Sequence, residues 1–105
     1  MLGEFEQVAL LAILRVGRDA YGVPIRAEIL DRTGRDVTLG AIYKTLGRLA
    51  DKGLVVSRVG APTAERGGRR TRCYSLTQAG RGALRETFHA LTRLAAGLDL
   101  GLELR

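Results

Sequence analysis

The sequence predicts a mainly α-helical domain with a two-stranded β-hairpin, in the chain order helix, helix, helix, strand, strand, helix. Three observations lead to this fold class. Residues 38–52 form a capped segment whose apolar positions recur at helical spacing. Two short segments with strand-like alternation, 54–59 and 72–77, follow it on either side of a glycine-rich basic loop. An apolar heptad pattern then continues through the C-terminal part of the chain.

The first helix is predicted over residues 4–16, where apolar side chains such as Phe5 and Val8 leave little polar surface. In so small a domain this pattern indicates covering by a partner subunit as well as by the chain's own core. A second helix begins near Tyr21-Gly22, has Pro24 in its first turn and ends at Gly34.

The third helix has the clearest boundary signals. The Thr38 hydroxyl can cap its first turn, and Gly53 follows its end. One side carries Ile42, Leu46 and Leu49, whereas small and basic residues occupy the other side: Gly40, Lys44, Gly47, Arg48, together with Asp51. Each of the two glycines lowers helix stability by about 1 kcal/mol relative to alanine. This cost makes sense if that side closely approaches another surface, although simple tolerance is the alternative.

A long hairpin loop is predicted between the strands, over Gly60–Thr71. The second and third helices, joined by a short turn at residues 34–37, form a helix-turn-helix pattern. The hairpin adds a wing to it. The predicted fold is therefore a mainly α winged helix-turn-helix with a two-stranded β-wing and a C-terminal dimerisation helix.

A helix-turn-helix places its second helix in the major groove of DNA. We therefore assign DNA contacts on the third helix to Thr38, Gly40, Ala41, Tyr43, Lys44 and Arg48. Lys44 or Arg48 can donate to guanine O6 and N7, and Tyr43 to a phosphate. Alternatively, Tyr43 packs against the wing and Lys44 is solvated.

The loop of the hairpin holds a cluster of arginines around adjacent glycines. Its predicted DNA contacts are Arg66, Gly68, Arg69 and Arg70. Glycine permits close backbone approach, and arginine suits phosphates or a narrow minor groove. The alternative is a solvated basic loop without a partner.

The last helix is predicted to begin after the capping residue Thr77. Its apolar residues are spaced by 4, 3, 4, 3 and 4 positions, from Leu84 to Leu102. From Thr77 to Leu98 such a helix would reach roughly 33 Å. An apolar stripe on an extended arm needs a partner, and a second copy of the chain is the simplest one. We therefore predict a DNA-binding domain over residues 1–76 and a dimerisation helix over 77–105, with the interface residues Phe5, Val8, Leu84, Phe88, Leu91 and Leu98.

Composition limits the classes of function. The 105 residues suffice for one domain, and no apolar run approaches the roughly 18 residues of a membrane span. Residues 37–85 carry a net charge of +8, whereas residues 1–36 and 86–105 carry −1 each. A basic block of this kind indicates a polyanionic partner. The alternative is a solvated surface in an arginine-rich protein.

The titratable and sulfur-containing residues favour a binding protein over an enzyme. His89 has no acid or nucleophile at useful spacing, and no catalytic set is evident. One cysteine and one histidine argue against a zinc site, so no cofactor is expected. The single cysteine fits a reducing cytosol, and we expect a cytoplasmic, nucleoid-associated protein. Cys73 is interpreted as a small strand residue, with a redox-responsive thiol as the alternative.

Several motifs together resemble the PadR family of bacterial transcriptional regulators, over nearly the whole chain. They comprise Leu2–Glu6, Asp19–Ile25, Gly40-Ala41-Ile42-Tyr43, Gly53-Leu54-Val55 and the segment Tyr74–Gly80. The resemblance implies a winged-helix homodimer, usually a repressor, that binds an inverted repeat in a promoter and is released by a small molecule. It also implies dimerisation through the C-terminal helix, with help from the N-terminal one. The chain is similar to the family's short-tailed branch.

We therefore expect a sequence-specific DNA-binding regulator whose partners are double-stranded DNA, a second copy of the chain and a small-molecule effector. Two rival hypotheses remain at this point. A winged helix can serve as a protein–protein interaction module without DNA specificity. A small redox-responsive switch would instead use Cys73.

Overall fold

The computed structural model describes residues 2–62 and 70–101. Its elements follow the predicted order, so the expected fold class is confirmed. They are α1 (Glu4–Val16), a 3₁₀ turn (Gly17–Asp19), α2 (Gly22–Thr33), α3 (Leu39–Asp51), β1 (Val55–Pro62), β2 (Arg70–Leu76) and α4 (Gln78–Ala95). The two strands form one antiparallel sheet.

The helix boundaries follow local chemistry. Gly34 ends α2 with a left-handed φ of 75°, and its N–H donates to the Leu30 carbonyl oxygen at 2.9 Å. The Thr38 hydroxyl caps α3 by accepting the Ala41 N–H at 3.1 Å. Thr77 caps α4 in the same way through the Gly80 N–H at 3.0 Å. These boundaries agree with the sequence prediction.

The hairpin differs from the prediction because its strands extend into the expected loop. Gly60 belongs to β1, where an added Cβ would lie 2.7 Å from the Cys73 Sγ atom across the sheet. This glycine is explained by close approach of the strands rather than by a loop. The register slips between Val59 and Pro62 before Pro62 pairs with Arg70, as suits a proline in a strand. The rest of the predicted loop, residues 63–69, lies outside the described residues.

The last helix is shorter than the prediction. It ends at Ala95, because Ala96 leaves the helical conformation and Gly97 has a φ of 81°. Leu98 is therefore not part of the helix. The 18 residues of α4 span about 27 Å, so the predicted helix length of roughly 33 Å was wrong. In the sequence the heptad spacing of apolar residues continues beyond Gly97, whereas the helix itself does not. Leu102 lies outside the described residues.

The core lies where α1, α2 and α3 meet the base of the hairpin. Its largest fully buried aliphatic side chains are Leu10, Ile25, Ile29, Ile42, Leu46 and Leu49. Burial of each such side chain stabilises the fold by about 1.5–3 kcal/mol. Val55 of β1 and Leu84 of α4 close this core. The core therefore holds the inner side of α3 and leaves its outer side to solvent.

Ion pairs join the start of α1 to both ends of α3. Lys52, which follows α3, donates to Glu6 Oε2 at 2.7 Å. Arg35, in the turn before α3, donates to both carboxylate oxygens of Glu4 at 2.8 Å. The Arg35 guanidinium also lies 5.1 Å from the centre of the Phe5 ring. These contacts orient α3 relative to α1 without using its outer side.

The Glu6–Lys52 contact predicts a pH-dependent contribution to stability. The hydrogen bond from Lys52 and that from the Gly3 N–H hold the pKa of Glu6 below its usual value. A carboxyl whose pKa is lower in the folded state stabilises the fold above its unfolded pKa, and this contribution is lost as the pH falls through the folded value. We expect Lys52→Ala to lower the free energy of unfolding by about 0.5–1 kcal/mol at pH 7. The deficit should shrink at acidic pH, as the pH falls through the lowered pKa of Glu6 and the carboxyl becomes protonated.

Urea denaturation of both proteins at pH 7 and at pH 3 measures this difference. Arg85→Ala is the control, because Arg85 is exposed and makes no ion pair within the described part of the chain. A deficit for Lys52→Ala that is equal at both pH values would contradict a role through the Glu6 carboxylate.

Candidate nucleic-acid interface

The outer side of α3 is an exposed ridge. Gly40, Ala41, Lys44, Gly47 and Arg48 are all exposed, whereas Ile42, Leu46 and Leu49 on the inner side are buried. The helix is strongly amphipathic because its apolar positions recur every three or four residues. We call these five exposed residues the α3 ridge. A ridge with small residues and long basic ones can enter a groove without disturbing the core.

The cations of the α3 ridge take no part in the ion pairs of the described residues. Five ion pairs use the carboxylates of Glu4, Glu6, Glu28 and Asp36, and none of them uses a cation of the α3 ridge. Lys44 and Arg48 have no ion-pair partner within residues 2–62 and 70–101. Arg48 acts on Glu6 only through its charge, which helps to keep the pKa of that carboxyl low. The ridge therefore keeps its positive charge.

Two further arginines are exposed on the strands of the hairpin. Arg72 in β2 donates to the Ser57 hydroxyl oxygen at 3.0 Å. Arg58 in β1 donates to the carbonyl oxygen of Arg18 in the turn after α1. Both partners are uncharged, so these hydrogen bonds orient the guanidinium groups without neutralising them.

Tyr43 lies between α3 and α2 and is half-buried. A Cβ added to Gly22 would overlap the Tyr43 hydroxyl and lie 2.9 Å from ring atom Cε2, so a larger residue at the start of α2 would displace the Tyr43 ring. Tyr43 is also close to Tyr74 of β2. The pKa of Tyr74 is raised mainly by burial, with a smaller rise from Tyr43. Tyr43 therefore packs on α2 as well as near the hairpin, and its contact with a phosphate stays a prediction.

Besides Tyr43, the predicted DNA-contacting residues divide into three groups. Gly40, Ala41, Lys44 and Arg48 lie together on the α3 ridge. The Thr38 hydroxyl is engaged in capping α3. The hairpin residues Arg66, Gly68 and Arg69 lie outside the described residues, and for Arg70 only the backbone at the start of β2 is described.

The predicted dimerisation residues also differ in how far their side chains are exposed. Phe88 and Leu91 of α4 are each 41% exposed and Leu98 is 63% exposed, whereas Phe5 and Val8 are half-buried. Leu84 is only 6% exposed, because it points into the core of its own subunit. Leu94, which the heptad pattern omitted, is the most exposed of these side chains at 76%. Leu94 could have been recognised in the sequence as an apolar residue in the last turns of the predicted helix.

The other candidate residues have ordinary structural explanations. Cys73 is buried and packs against Gly60, which supports its interpretation as a small strand residue. His89 is exposed on α4. Within the described residues, no group of three or more histidine, cysteine, aspartate and glutamate side chains is placed to hold a metal ion. No helix among them is long and apolar enough to cross a membrane.

Comparison with known proteins identifies the family. The model of the transcriptional regulator PadR-like family matches residues 10–86. The transcriptional regulator Rv3488 of Mycobacterium tuberculosis is 40% identical over 95 residues, which cover 88% of this chain and 84% of that protein.

Solved structures agree on the architecture. A PadR-like transcriptional regulator from Bacillus cereus has a TM-score of 0.72 at 20% identity, covering 96% of this chain and 93% of that one. The winged-helix DNA-binding protein F93 from STIV has a TM-score of 0.69 at 20% identity, covering 92% of this chain and 97% of that one. Bacillus subtilis PadR in complex with operator DNA has a TM-score of 0.65 at 23% identity, covering 81% of this chain and 47% of that one.

These structural likenesses establish a winged-helix fold, and the family model with its 40% identical relative establishes the lineage. The exposed basic ridge and the adjoining hairpin lie in the part of the chain that the family model covers. The chain therefore belongs to the PadR-like family of transcriptional regulators, as a DNA-binding winged-helix protein and not an enzyme.

Proposed function

We propose that this protein is a homodimeric, sequence-specific repressor that binds an inverted-repeat operator and is released by a small-molecule effector. The observation that carries the proposal is the α3 ridge, which is exposed, positively charged and free of acidic partners in the described residues. The DNA complex of Bacillus subtilis PadR supports operator binding by analogy of fold.

Sequence readout is assigned to Lys44 and Arg48, which can donate to guanine O6 and N7 in the major groove. Packing within the subunit gives no reason for the glycines beside them. A Cβ added to Gly47 meets nothing within 4 Å, and one added to Gly40 meets only the Thr38 hydroxyl at 3.9 Å. Their absence of side chains supports close approach of the helix backbone to the bases.

Phosphate contacts are assigned to the hairpin, together with Tyr43. Arg72 is exposed on β2 and keeps its charge. The arginines assigned from the sequence, Arg66, Arg69 and Arg70, add charge at its end. Contacts of this kind hold the protein on the duplex without selecting a sequence.

Dimerisation is assigned to the exposed apolar surface of α4 with the adjoining part of α1. Phe88, Leu91 and Leu94 form it on α4, and α1 contributes Phe5 and Val8, as assigned from the sequence. Apolar groups gathered on one surface favour association. Two subunits would place their α3 helices in half-sites about 34 Å apart, one turn of DNA. The same surface also suits a hetero-partner, as an interaction module would require.

Sedimentation of the purified chain with and without a random-sequence duplex distinguishes these functions. A dimer that binds duplex supports the regulator. A monomer that leaves duplex unbound supports the interaction module and would overturn the proposal. A footprint on the chain's own promoter then tests operator binding, because such repressors often control their own expression.

Salt dependence is a separate expected result. If about six phosphates are neutralised per dimer, log K should fall against log salt concentration with a slope near −5. Titrating a labelled duplex at several salt concentrations measures this slope. A nearly flat response would exclude the proposed electrostatic contacts, whereas a matched duplex of different sequence should give a similar slope at lower affinity.

A further inference from the structure

A second cluster of positive charge lies away from the α3 ridge, around a cavity of about 540 Å³. The cavity opens between the C-terminal end of α1, the hairpin and the first turn of α4. Its arginines are Arg18, Arg58 and Arg81, and no residue of α3 lines it. Its size falls within the range of small-ligand sites. A site of this kind is not needed for the proposed DNA contacts.

The three arginines are not neutralised by the protein. None of them forms an ion pair with any residue in the described ranges. Arg58 donates one N–H to the Arg18 carbonyl oxygen, which turns its guanidinium toward the turn after α1 and leaves its other N–H groups for a ligand. No acidic side chain lines the cavity. Three unpaired guanidinium groups around one concave surface favour an anion.

The outer edge of β2, whose residues Tyr74, Ser75 and Leu76 line the cavity, carries a further backbone donor. The Tyr74 N–H points away from β1 and donates to the Ala20 carbonyl oxygen at 2.8 Å, whereas the Thr77 N–H points inward to the Leu54 carbonyl oxygen at 3.0 Å. Amide directions alternate along an antiparallel strand, so the Leu76 N–H points outward, toward the side on which Tyr74 meets Ala20. Ser75 adds an exposed residue to the lining, beside Leu76.

Apolar side chains form the rest of the lining, with Ile13 and Leu14 from α1 and Leu76 from β2. We infer that this cavity binds a small organic dianion with a short apolar portion, such as a phosphate monoester or a dicarboxylate. A dianion balances more of the three positive charges than a monocarboxylate does, and a phosphate group carries a charge between about −1.5 and −2 at pH 7. The apolar portion would lie on Ile13, Leu14 and Leu76.

Calorimetry on the full chain without DNA tests this inference, so its outcome is separate from that of the DNA-binding proposal. The probes are hexyl phosphate and butylmalonate as the two dianions, hexanoate as a monoanion and 1-hexanol as the uncharged control. We expect at least one dianion to bind about tenfold more tightly than hexanoate, and 1-hexanol not to bind measurably. The preferred dianion distinguishes phosphate from dicarboxylate ligands. Absence of dianion binding, or equal binding of hexanoate, would overturn the inference.

Two variants locate the site. Arg81→Gln and Arg18→Gln should each weaken dianion binding about tenfold, and the second variant keeps the carbonyl oxygen that accepts from Arg58. Arg85→Gln, one turn further along α4, removes the same charge outside the cavity and should bind the probe as the parent does. Equal effects of all three variants would show nonspecific attraction and overturn the inference.

The alternative occupant is a phosphate of the DNA backbone. Arg81→Gln and Arg85→Gln should bind a random duplex equally, if the cavity is a small-molecule site. A loss of duplex affinity that is confined to Arg81→Gln would place the cavity in the DNA-binding surface and overturn the inference.

Discussion

Replacing Gly80 with alanine is expected to destabilise the fold by about 2–3 kcal/mol, because the added methyl group has no space. A Cβ at this position would overlap the Leu54 carbonyl oxygen and lie 3.0 Å from its carbonyl carbon. The Leu54 carbonyl is held in place, since it accepts the Thr77 N–H at 3.0 Å. Thr77 is itself anchored by its hydroxyl, which donates to the Gly53 carbonyl oxygen at 2.7 Å. The first turn of α4 would have to move away from the hairpin.

Gly82→Ala is the matched control, two residues further along the same helix. A Cβ at Gly82 meets nothing within 4 Å, so this change should stabilise the helix by up to about 1 kcal/mol. Thermal unfolding then separates the two variants: a loss of 2–3 kcal/mol corresponds to a melting temperature lower by roughly 10–20 °C in a domain of this size. Similar stabilities of the two alanine variants would contradict the close contact between α4 and Leu54.

Replacing Arg48 with alanine should weaken operator binding about 10- to 100-fold and affect binding to random DNA much less. A bidentate contact to guanine contributes about 1–3 kcal/mol of discrimination, whereas a single phosphate contact contributes to all sequences equally. Arg48 is exposed on the α3 ridge and supports no ion pair within the described residues. Its removal should therefore leave the fold intact, which denaturation can verify.

Arg93→Ala removes the same charge from the last turn of α4 and serves as the control. The double variant Arg69→Ala, Arg70→Ala should instead weaken specific and random binding together, as expected for phosphate contacts. Titrating operator and random duplexes at one salt concentration measures all three proteins. If Arg48→Ala lowered both affinities equally while the double variant lost only operator affinity, the assignments of readout and phosphate contact would be reversed.

Local sequence signals predicted most of the secondary structure. Thr38 and Thr77 marked helix starts and Gly34 marked a helix end, because caps act through residues adjacent in the chain. The amphipathic spacing of α3 likewise separated its buried side from the α3 ridge. Errors arose at glycines whose role depends on surroundings. Gly60 suggested a loop but lies in β1, and Gly97 ended α4 inside an otherwise continuous heptad pattern.

Tertiary contacts explain two glycines that in the sequence were recognisable only as parts of family motifs. Gly22 leaves space for the Tyr43 ring to pack against it, and Gly80 is required because the Leu54 backbone lies beside it. Each contact joins residues far apart in the chain, which no periodicity reveals. The burial of Leu84 in the core of its own subunit was likewise not evident from the sequence. A heptad position identifies the apolar side of a helix but not whether that side meets its own core or another subunit.

The sequence by itself determined the order of the elements, the amphipathic character of α3 and the concentration of positive charge in the middle of the chain. These properties depend on spacing, caps and composition along the chain. Only the tertiary structure decided which arginines pair with carboxylates and which gather around the cavity between α1, the hairpin and α4. The reason is physical: pairing and burial depend on distances between residues brought together by folding.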